Sequence, residues 1–164
     1  MSLIDWSDQL ELGHAAIDQT HREFVELLNA LGAAAGDSIL PALDEFKAHT
    51  EAHFAQEEAW MAEKDFPPRH CHEREHANVL EIVTEVRSRV AGGELEYGER
   101  LASALAEWFP LHATSMDAML ALFLEKPELF AQPASACGTE GHVCGHEGEA
   151  HAPDPAQAAT PETA

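Results

Sequence analysis

Five histidines and one glutamate stand where helical spacing would bring metal-binding side chains together. His53 and Glu57 are four residues apart, as are His72 and His76. Side chains four apart on an α-helix lie almost above one another, so each pair presents two ligand atoms to one point. The full set of candidates on apolar stripes is His21, His53, Glu57, His72, His76 and His112. Imidazole nitrogen and carboxylate oxygen are common ligands of divalent metal ions, so the pattern indicates metal chemistry.

The number of these histidines favours a metal site over ordinary core packing. A single histidine on an apolar face is more often a hydrogen-bonded core residue than a ligand. Burying five imidazoles together with carboxylates, without compensating charge, would cost many kcal/mol. One or two divalent cations would satisfy all of them. We therefore expect a polar, metal-binding pocket inside the protein.

Four long helices are expected to position these residues. Apolar residues recur at intervals of three and four, and prolines or glycines interrupt the pattern between the helices. The predicted helices run from about 15 to 35, from 38 or 41 to 64, from just after Pro68 to just before Gly92, and from about 95 to 124. In the last of them, His112 and Met119 are expected on the inner side.

The fold predicted from this order of elements is all-α. Loops of a few residues connect only neighbouring helices, which favours an antiparallel up-down-up-down four-helix bundle. An N-terminal arm carries Trp6, Leu10 and Leu12, which are expected to pack across one end of the bundle. Residues 1–131 are expected to form one domain. Residues 132–164 contain few large apolar residues and are expected to be a disordered acidic tail.

Composition excludes several classes of partner. The chain has 164 residues and a formal net charge of -21, which should repel nucleic acid and anionic membrane surfaces. No apolar run is long enough to span a bilayer, and the N-terminus does not resemble a secretory signal. Three cysteines are too few for a disulfide framework, so we expect reduced thiols. A cytoplasmic location is the resulting expectation.

Four stretches of the sequence resemble the bacterial hemerythrins, which are oxygen-binding non-haem diiron proteins. The stretches are WSDQLELGHAAIDQTH, HFAQEEAWM, FPPRHCHEREH and WFPLHATSMD. By this resemblance, one iron takes His72, His76 and His112, and the other takes His21 and His53. The resemblance also implies that Glu57 and Asp117 bridge both irons, together with an oxo or hydroxo group.

The resemblance implies reversible binding of dioxygen, for storage, delivery or sensing, in a protein that is not an enzyme. Six ligands at one iron and five at the other would leave one position open for dioxygen. One alternative is a diiron enzyme that acts on peroxide, nitric oxide or ferrous iron. Another is a metal-handling protein that uses its tail.

Several residues depart from the family pattern. His14, His49 and His70 are expected to lie outside the metal site. Phe109 and Ala113 fall where the family resemblance places the oxygen pocket. His112 and Asp117 are five residues apart and would diverge by roughly 140° on an ideal α-helix. Because a proline at position 110 should bend this helix locally, we expect the bend to help both residues face inward.

The tail carries a second set of possible metal ligands. They are Cys137, His142, Cys144, His146 and His151. Their spacing does not match a familiar zinc knuckle, so a solvated acidic tail is the alternative interpretation. The sequence leaves open whether these residues bind a metal.

Overall fold

The computed structural model describes residues 2–130, and within that range the protein is helical without β-strands. The helices are α1 (Ala15–Ala33), α2 (Ile39–Glu63), α3 (Arg69–Ala91), α4 (Glu96–His112) and α5 (Ala118–Glu125). A π-helical turn (Ala113–Asp117) joins α4 to α5, so that together they form the fourth rod of a four-helix bundle. Each of α1 and α3 packs against both α2 and α4. The predicted all-α four-helix bundle is therefore confirmed.

The helix ends follow from residues that favour turns. Gly36 and Gly93 have positive φ values of 55° and 100°, in the left-handed region where glycine has no steric penalty. α2 ends just before Asp65, which also has a positive φ, and two prolines follow. His14 caps the start of α1, because its Nδ1 accepts a hydrogen bond from the backbone N–H of Ile17. These ends lie within about two residues of the predicted ones.

The fourth rod contains the main departure from the predicted pattern. Met119 was expected on the inner side, but it is 47% exposed, whereas Leu120 is fully buried. The reason is the π-helical turn, in which hydrogen bonds run between residues five apart and one additional residue is accommodated. Beyond this turn the inward-facing positions are shifted by one residue. The prediction for Met119 is therefore wrong.

Two apolar clusters enclose the polar interior of the bundle. On α2, Phe46 belongs to the larger cluster and Met61 to the smaller one. His53 and Glu57 lie between them on the same helix. Leu10 of the N-terminal arm is buried in the larger cluster, which agrees with the predicted packing of the arm. The candidate ligands therefore lie in a layer with apolar packing on both sides.

The described helices and the expected tail bear on two further predictions, the absence of a membrane span and the domain boundary. None of the helices in residues 2–130 is long and apolar enough to cross a membrane. The expected tail, residues 132–164, lies outside the described residues, so the division of the chain at residue 131 stays a prediction.

Candidate metal centre

All seven candidate ligands converge in the bundle interior. α1 carries one of them, α2 and α3 carry two each, α4 carries one, and the π-helical turn carries the last. No side chain in this group belongs to a residue that is more than 4% exposed. The seven residues are His21, His53, Glu57, His72, His76, His112 and Asp117. Each of the four rods therefore contributes to one buried cluster.

Glu57 divides its two carboxylate oxygens between two groups of histidines. Its Oε1 lies 3.0 Å from Nε2 of His53 and 3.8 Å from Nε2 of His21. Its Oε2 lies 3.4 Å from Nε2 of His72 and also 3.4 Å from Nε2 of His76. One carboxylate thus faces two separate sets of imidazole nitrogens.

Asp117 is arranged in the same way. Its Oδ2 lies 3.1 Å from Nε2 of His21. Its Oδ1 lies 2.9 Å from Nε2 of His72 and 3.1 Å from Nε2 of His112. Both carboxylates approach His21 with one oxygen and His72 with the other. Taken together, their contacts place two histidines on one side and three on the other.

These atoms form two overlapping sets that could each hold a metal ion. Within each set the ligand atoms lie within 4.8 Å of one another. One set contains His21, His53 and Glu57, and the other contains Glu57, His72, His76, His112 and Asp117. Because Glu57 belongs to both sets, the geometry suits two neighbouring ions that share a carboxylate.

Several buried polar atoms of the cluster lie close to oppositely charged groups but form no hydrogen bond of good geometry. They include Nε2 of His21 and of His76, Oε2 of Glu57, and both carboxylate oxygens of Asp117. A buried polar atom without a hydrogen bond costs about 1–3 kcal/mol, and more if it is charged. A cation would satisfy all of these atoms at once. Nitrogen and carboxylate oxygen donors in this combination fit iron.

The electrostatics of the cluster favour a bound cation. Burial would raise the pKa of the Glu57 carboxyl, but the imidazoles around it, His53 first, hold that pKa well below its usual value. The pKa of the Asp117 carboxyl is also held well below its usual value, since the effect of neighbouring imidazoles outweighs that of burial. Both groups are therefore negatively charged near neutral pH.

The same carboxylates raise the pKa of two imidazoles of the cluster. Burial would lower the pKa of His21, but the nearby carboxylates of Asp117 and Glu57 outweigh burial and raise the pKa to about 9. The pKa of His72 is raised to about 9 against the effect of burial by the same two groups. Without a metal, the site takes up protons as its counterions. Divalent cations would replace those protons.

The π-helical turn explains how Asp117 reaches the cluster. The backbone N–H of Ala118 bonds to the carbonyl oxygen of Ala113, five residues earlier. His112 and Asp117, also five residues apart, therefore face the same side and approach within 3.1 Å. The sequence predicted a local bend at Pro110. Pro110 lies inside α4, and the π-helical turn begins three residues after it, at Ala113.

Aromatic rings cover the histidines on the α1 side. Phe109 is almost fully buried, and its ring meets the ring of His21 edge-on, with centroids 5.1 Å apart. Phe109 also stacks on Phe24 at 4.5 Å, and Phe24 in turn contacts His53. Ala113 is fully buried nearby in the chain. The side with two histidines thus has an apolar wall.

The histidines expected to lie outside the cluster do so. His49 donates a hydrogen bond from Nε2 to the carbonyl oxygen of Thr20 on α1. His14 caps α1 and its ring meets that of Trp60. The side chain of His70 is 88% exposed. The motif HTEAH, residues 49–53, therefore contributes only its second histidine.

Sequence reasoning missed one polar residue beside the cluster. Glu58 lies next to Glu57 in the sequence, and its Oε1 lies 3.3 Å from Nδ1 of His76. The pair of adjacent glutamates in HFAQEEAWM was the only signal for it. Its contact depends on how α3 packs against α2, which the spacing of residues along α2 does not reveal.

Cys71 does not belong to either set of converging ligand atoms. Cys71 is disulfide-bonded, so the expectation of reduced thiols is wrong for this residue. The possible tail ligands also lie outside the described residues, and metal binding by them stays a hypothesis. They are Cys137, His142, Cys144, His146 and His151.

Comparison with known proteins identifies related sequences. The family model described as the hemerythrin HHE cation binding domain matches residues 12–123. A bacteriohemerythrin of Ralstonia nicotianae is 50% identical over 124 residues, covering 76% of this chain and 90% of that protein. A bacteriohemerythrin of Stenotrophomonas maltophilia is 34% identical over 121 residues, covering 71% and 78% respectively. A third, from Clostridium acetobutylicum, is 25% identical over 121 residues, covering 68% and 94%. No solved structure matches this chain.

Proposed function

Because this chain belongs to the hemerythrin family, we propose that its buried cluster holds two iron ions and binds dioxygen reversibly. Membership of the family implies non-haem iron binding and an oxygen-related role. The number of ions, the ligand assignment and the reversibility are the parts that we add.

The proposal depends above all on two carboxylates, Glu57 and Asp117, whose two oxygens face different groups of histidines. In Glu57 and in Asp117, one carboxylate oxygen faces one group of histidines and the other oxygen faces the second group. The distances to the imidazole nitrogens range from 2.9 to 3.8 Å. A carboxylate that faces both groups with different oxygens is suited to bridge two ions. A single ion would leave one group of histidines without a metal.

We assign the ligands according to this division. His72, His76 and His112 would hold one ion, and His21 and His53 would hold the other. Glu57 and Asp117 would bridge the two ions, and an oxo or hydroxo group would complete the bridge. The ion with two histidines then has one ligand fewer than its neighbour.

The apolar residues beside the cluster control the access of dioxygen and water to the proposed iron site. When bound, two ferrous ions supply the electrons that reversible dioxygen binding requires. Phe109 and Phe24 cover the side with two histidines, and the small side chain of Ala113 is fully buried four residues after Phe109. An apolar wall of this kind excludes water and protons from a reactive site. We therefore propose that dioxygen binds on this side.

Hemerythrins are oxygen-binding proteins rather than enzymes, and the expectation that this chain is not an enzyme agrees with its family. No feature of residues 2–130 favours a second substrate over dioxygen. Whether the protein stores, delivers or senses oxygen depends on its affinity and on its partners. A cytoplasmic location also stays a prediction.

The test is oxygenation of the purified protein. The protein is reduced without oxygen, exposed to air and deoxygenated again, while its visible spectrum and iron content are recorded. We expect two irons per chain and an absorption band that appears with oxygen and disappears when oxygen is removed. Oxidation that does not reverse, accompanied by consumption of peroxide, nitric oxide or ferrous iron, would instead support the enzyme alternative.

A further inference from the structure

We propose that Glu58 is a positioning residue that holds the ring of His76 in the orientation needed to bind iron. This inference rests on the proposed function only because it takes His76 as an iron ligand. Oε1 of Glu58 lies 3.3 Å from Nδ1 of His76. The other ring nitrogen, Nε2, faces Oε2 of Glu57 at 3.4 Å. The two glutamates therefore contact opposite nitrogens of one imidazole.

The ring of His76 is constrained on its face by a different contact. Phe54 stacks on it with ring centroids 3.8 Å apart and an interplanar angle of 2°. Stacking fixes the plane of the imidazole but does not distinguish the ring from the same ring turned by 180°. Such a turn would exchange each nitrogen with a carbon atom. The contact with Glu58 distinguishes the two orientations, because only a nitrogen can donate a hydrogen bond to the carboxylate.

His76 differs in this respect from the other histidines of the cluster. Their outward-facing Nδ1 atoms have no hydrogen-bonding partner among the described residues. These four histidines are His21, His53, His72 and His112. The contact between Glu58 and His76 is therefore a specific feature of one proposed ligand. It also joins α2 to α3 beside the metal site.

Glu58 is placed to support a ligand and not to serve as one. Its carboxylate lies on the outer side of the imidazole, and its side chain is 39% exposed. It does not belong to either set of converging ligand atoms. Glu57, one residue earlier on α2, occupies that central position instead.

The chemical consequence follows from the hydrogen bond. When Nδ1–H donates to a carboxylate, the proton stays on Nδ1 and the lone pair of Nε2 is free for the metal. The negative charge also makes the imidazole a stronger electron donor. Removing such a partner typically lowers metal affinity by about 10–100-fold. We expect an effect of this size at the ion held by three histidines.

The experiment compares Glu58→Ala and Glu58→Gln with the wild-type chain. Glutamine keeps an acceptor oxygen but removes the charge. Glu63→Ala is the matched control, because it removes a negative charge from an exposed residue of the same helix. Each reduced protein is loaded with iron without oxygen, and release into an excess of chelator is followed. A parallel series uses Co²⁺. Melting of the metal-free variants by circular dichroism checks that each remains folded.

We expect Glu58→Ala to release one of its two ions about 10-fold faster or more, and the other at the wild-type rate. Glu58→Gln should recover most of the retention, and Glu63→Ala should match the wild type. Equal release from Glu58→Ala and the wild type would overturn the proposal. It would also be overturned if Glu63→Ala, or Glu58→Gln, lost metal as fast as Glu58→Ala. A wild-type chain that retains two ions but is not reversibly oxygenated would contradict only the proposed function.

Discussion

At the scale of single residues, position within the cluster distinguishes histidines that the sequence presents as equivalent. His49 and His53 lie one turn apart on α2. Nε2 of His53 is 3.0 Å from Glu57, whereas Nε2 of His49 donates to the backbone of α1. His53 is therefore proposed as a ligand, and His49 joins two helices.

The first prediction uses this pair of neighbours. His53→Ala removes a ligand from the ion that has only two histidines, so we expect the iron content to fall from two per chain toward one or fewer. His49→Ala should keep both irons and lose about 1 kcal/mol of stability with its hydrogen bond. Iron analysis and thermal melting measure both effects. If His49→Ala lost as much iron as His53→Ala, the ligand assignment would be wrong.

The second prediction concerns Phe109, which covers His21. A ring at this place should slow the entry of water, so a smaller side chain should speed the loss of the oxygenated form in air. Phe109→Ala should cost about 3–5 kcal/mol of stability. Phe109→Leu, which keeps more apolar volume, is therefore tested with it.

Decay of the visible band and iron content measure the effect of Phe109. Phe46→Leu is the control, because Phe46 is a fully buried ring of the larger apolar cluster. We expect faster decay with unchanged iron only for the variants of Phe109. An unchanged decay rate in Phe109→Leu and Phe109→Ala would leave this ring as ordinary core packing.

The residue scale also shows why Glu58 was missed. Sequence patterns identify the residues that share the inward face of one helix, such as His53 and Glu57. Glu58 lies one position off that face and meets His76 on α3. A contact between helices at the edge of an inward face depends on how the helices pack, and a period along one helix does not contain that information.

At the scale of elements, the π-helical turn determines the shape of the candidate metal site. It brings Asp117 to the same side as His112, although the two residues are five apart. The helix ends were predictable because glycine and proline mark them. The π-helical turn was not predicted, although a local bend at Pro110 was expected to help His112 and Asp117 face inward. The inner positions beyond Pro110 were placed with a constant helical period, and Met119 was misplaced as a result.

The third prediction concerns the hydroxyl groups that accompany this turn. Thr114 Oγ1 donates to the carbonyl oxygen of Pro110 at 2.7 Å, and Ser115 Oγ donates to that of Leu111 at 2.6 Å. The π-helical turn shifts the backbone hydrogen bonds. These hydroxyls therefore donate hydrogen bonds to carbonyl oxygens at the end of α4, where the α-helix changes to the π-helical turn. Replacing both by alanine should lower the free energy of unfolding by about 1–3 kcal/mol.

Chemical denaturation of the metal-free protein measures this change. The control is Ser103→Ala, whose hydroxyl makes the same kind of bond to Glu99 within regular α-helix. That change should be close to neutral, since alanine has the higher helix propensity and the carbonyl keeps its helical partner. Equal effects in the control and in the double variant would show that the hydroxyls do not stabilise the π-helical turn.

At the scale of the whole molecule, the buried charges link folding to metal binding. The bundle gathers two ionised carboxylates and five imidazoles between two apolar clusters. An ion that binds only the folded state adds stability of about 4 kcal/mol when its concentration is 1,000 times its dissociation constant. Much of the stability of the loaded protein should therefore depend on iron.

The fourth prediction is that removing iron lowers the melting temperature. Metal-free protein should melt earlier than loaded protein, and adding ferrous iron without oxygen should restore the higher value. Differential scanning calorimetry on the same sample before and after loading measures the shift. Identical melting of both forms would mean that the seven side chains do not form a metal site in the folded protein.

The fifth prediction concerns the part of the chain that the site requires. All seven proposed ligands lie between residues 21 and 117, within the family match at 12–123. A chain that ends at residue 131 should therefore bind two irons and melt at the same temperature as the full chain. Both chains carry Cys71→Ser, so that the disulfide does not differ between them.

Iron content and melting temperature are measured for both chains to test whether the tail is needed for the two-iron site. The tail is also acidic, so its removal changes the net charge, and salt is raised in both samples to screen that difference. Extra metal bound only by the full chain would indicate a separate site among the tail histidines and cysteines, and the two-iron site would stand. Loss of both irons from the shortened chain would instead place essential ligands in the tail and contradict the assignment of all seven residues.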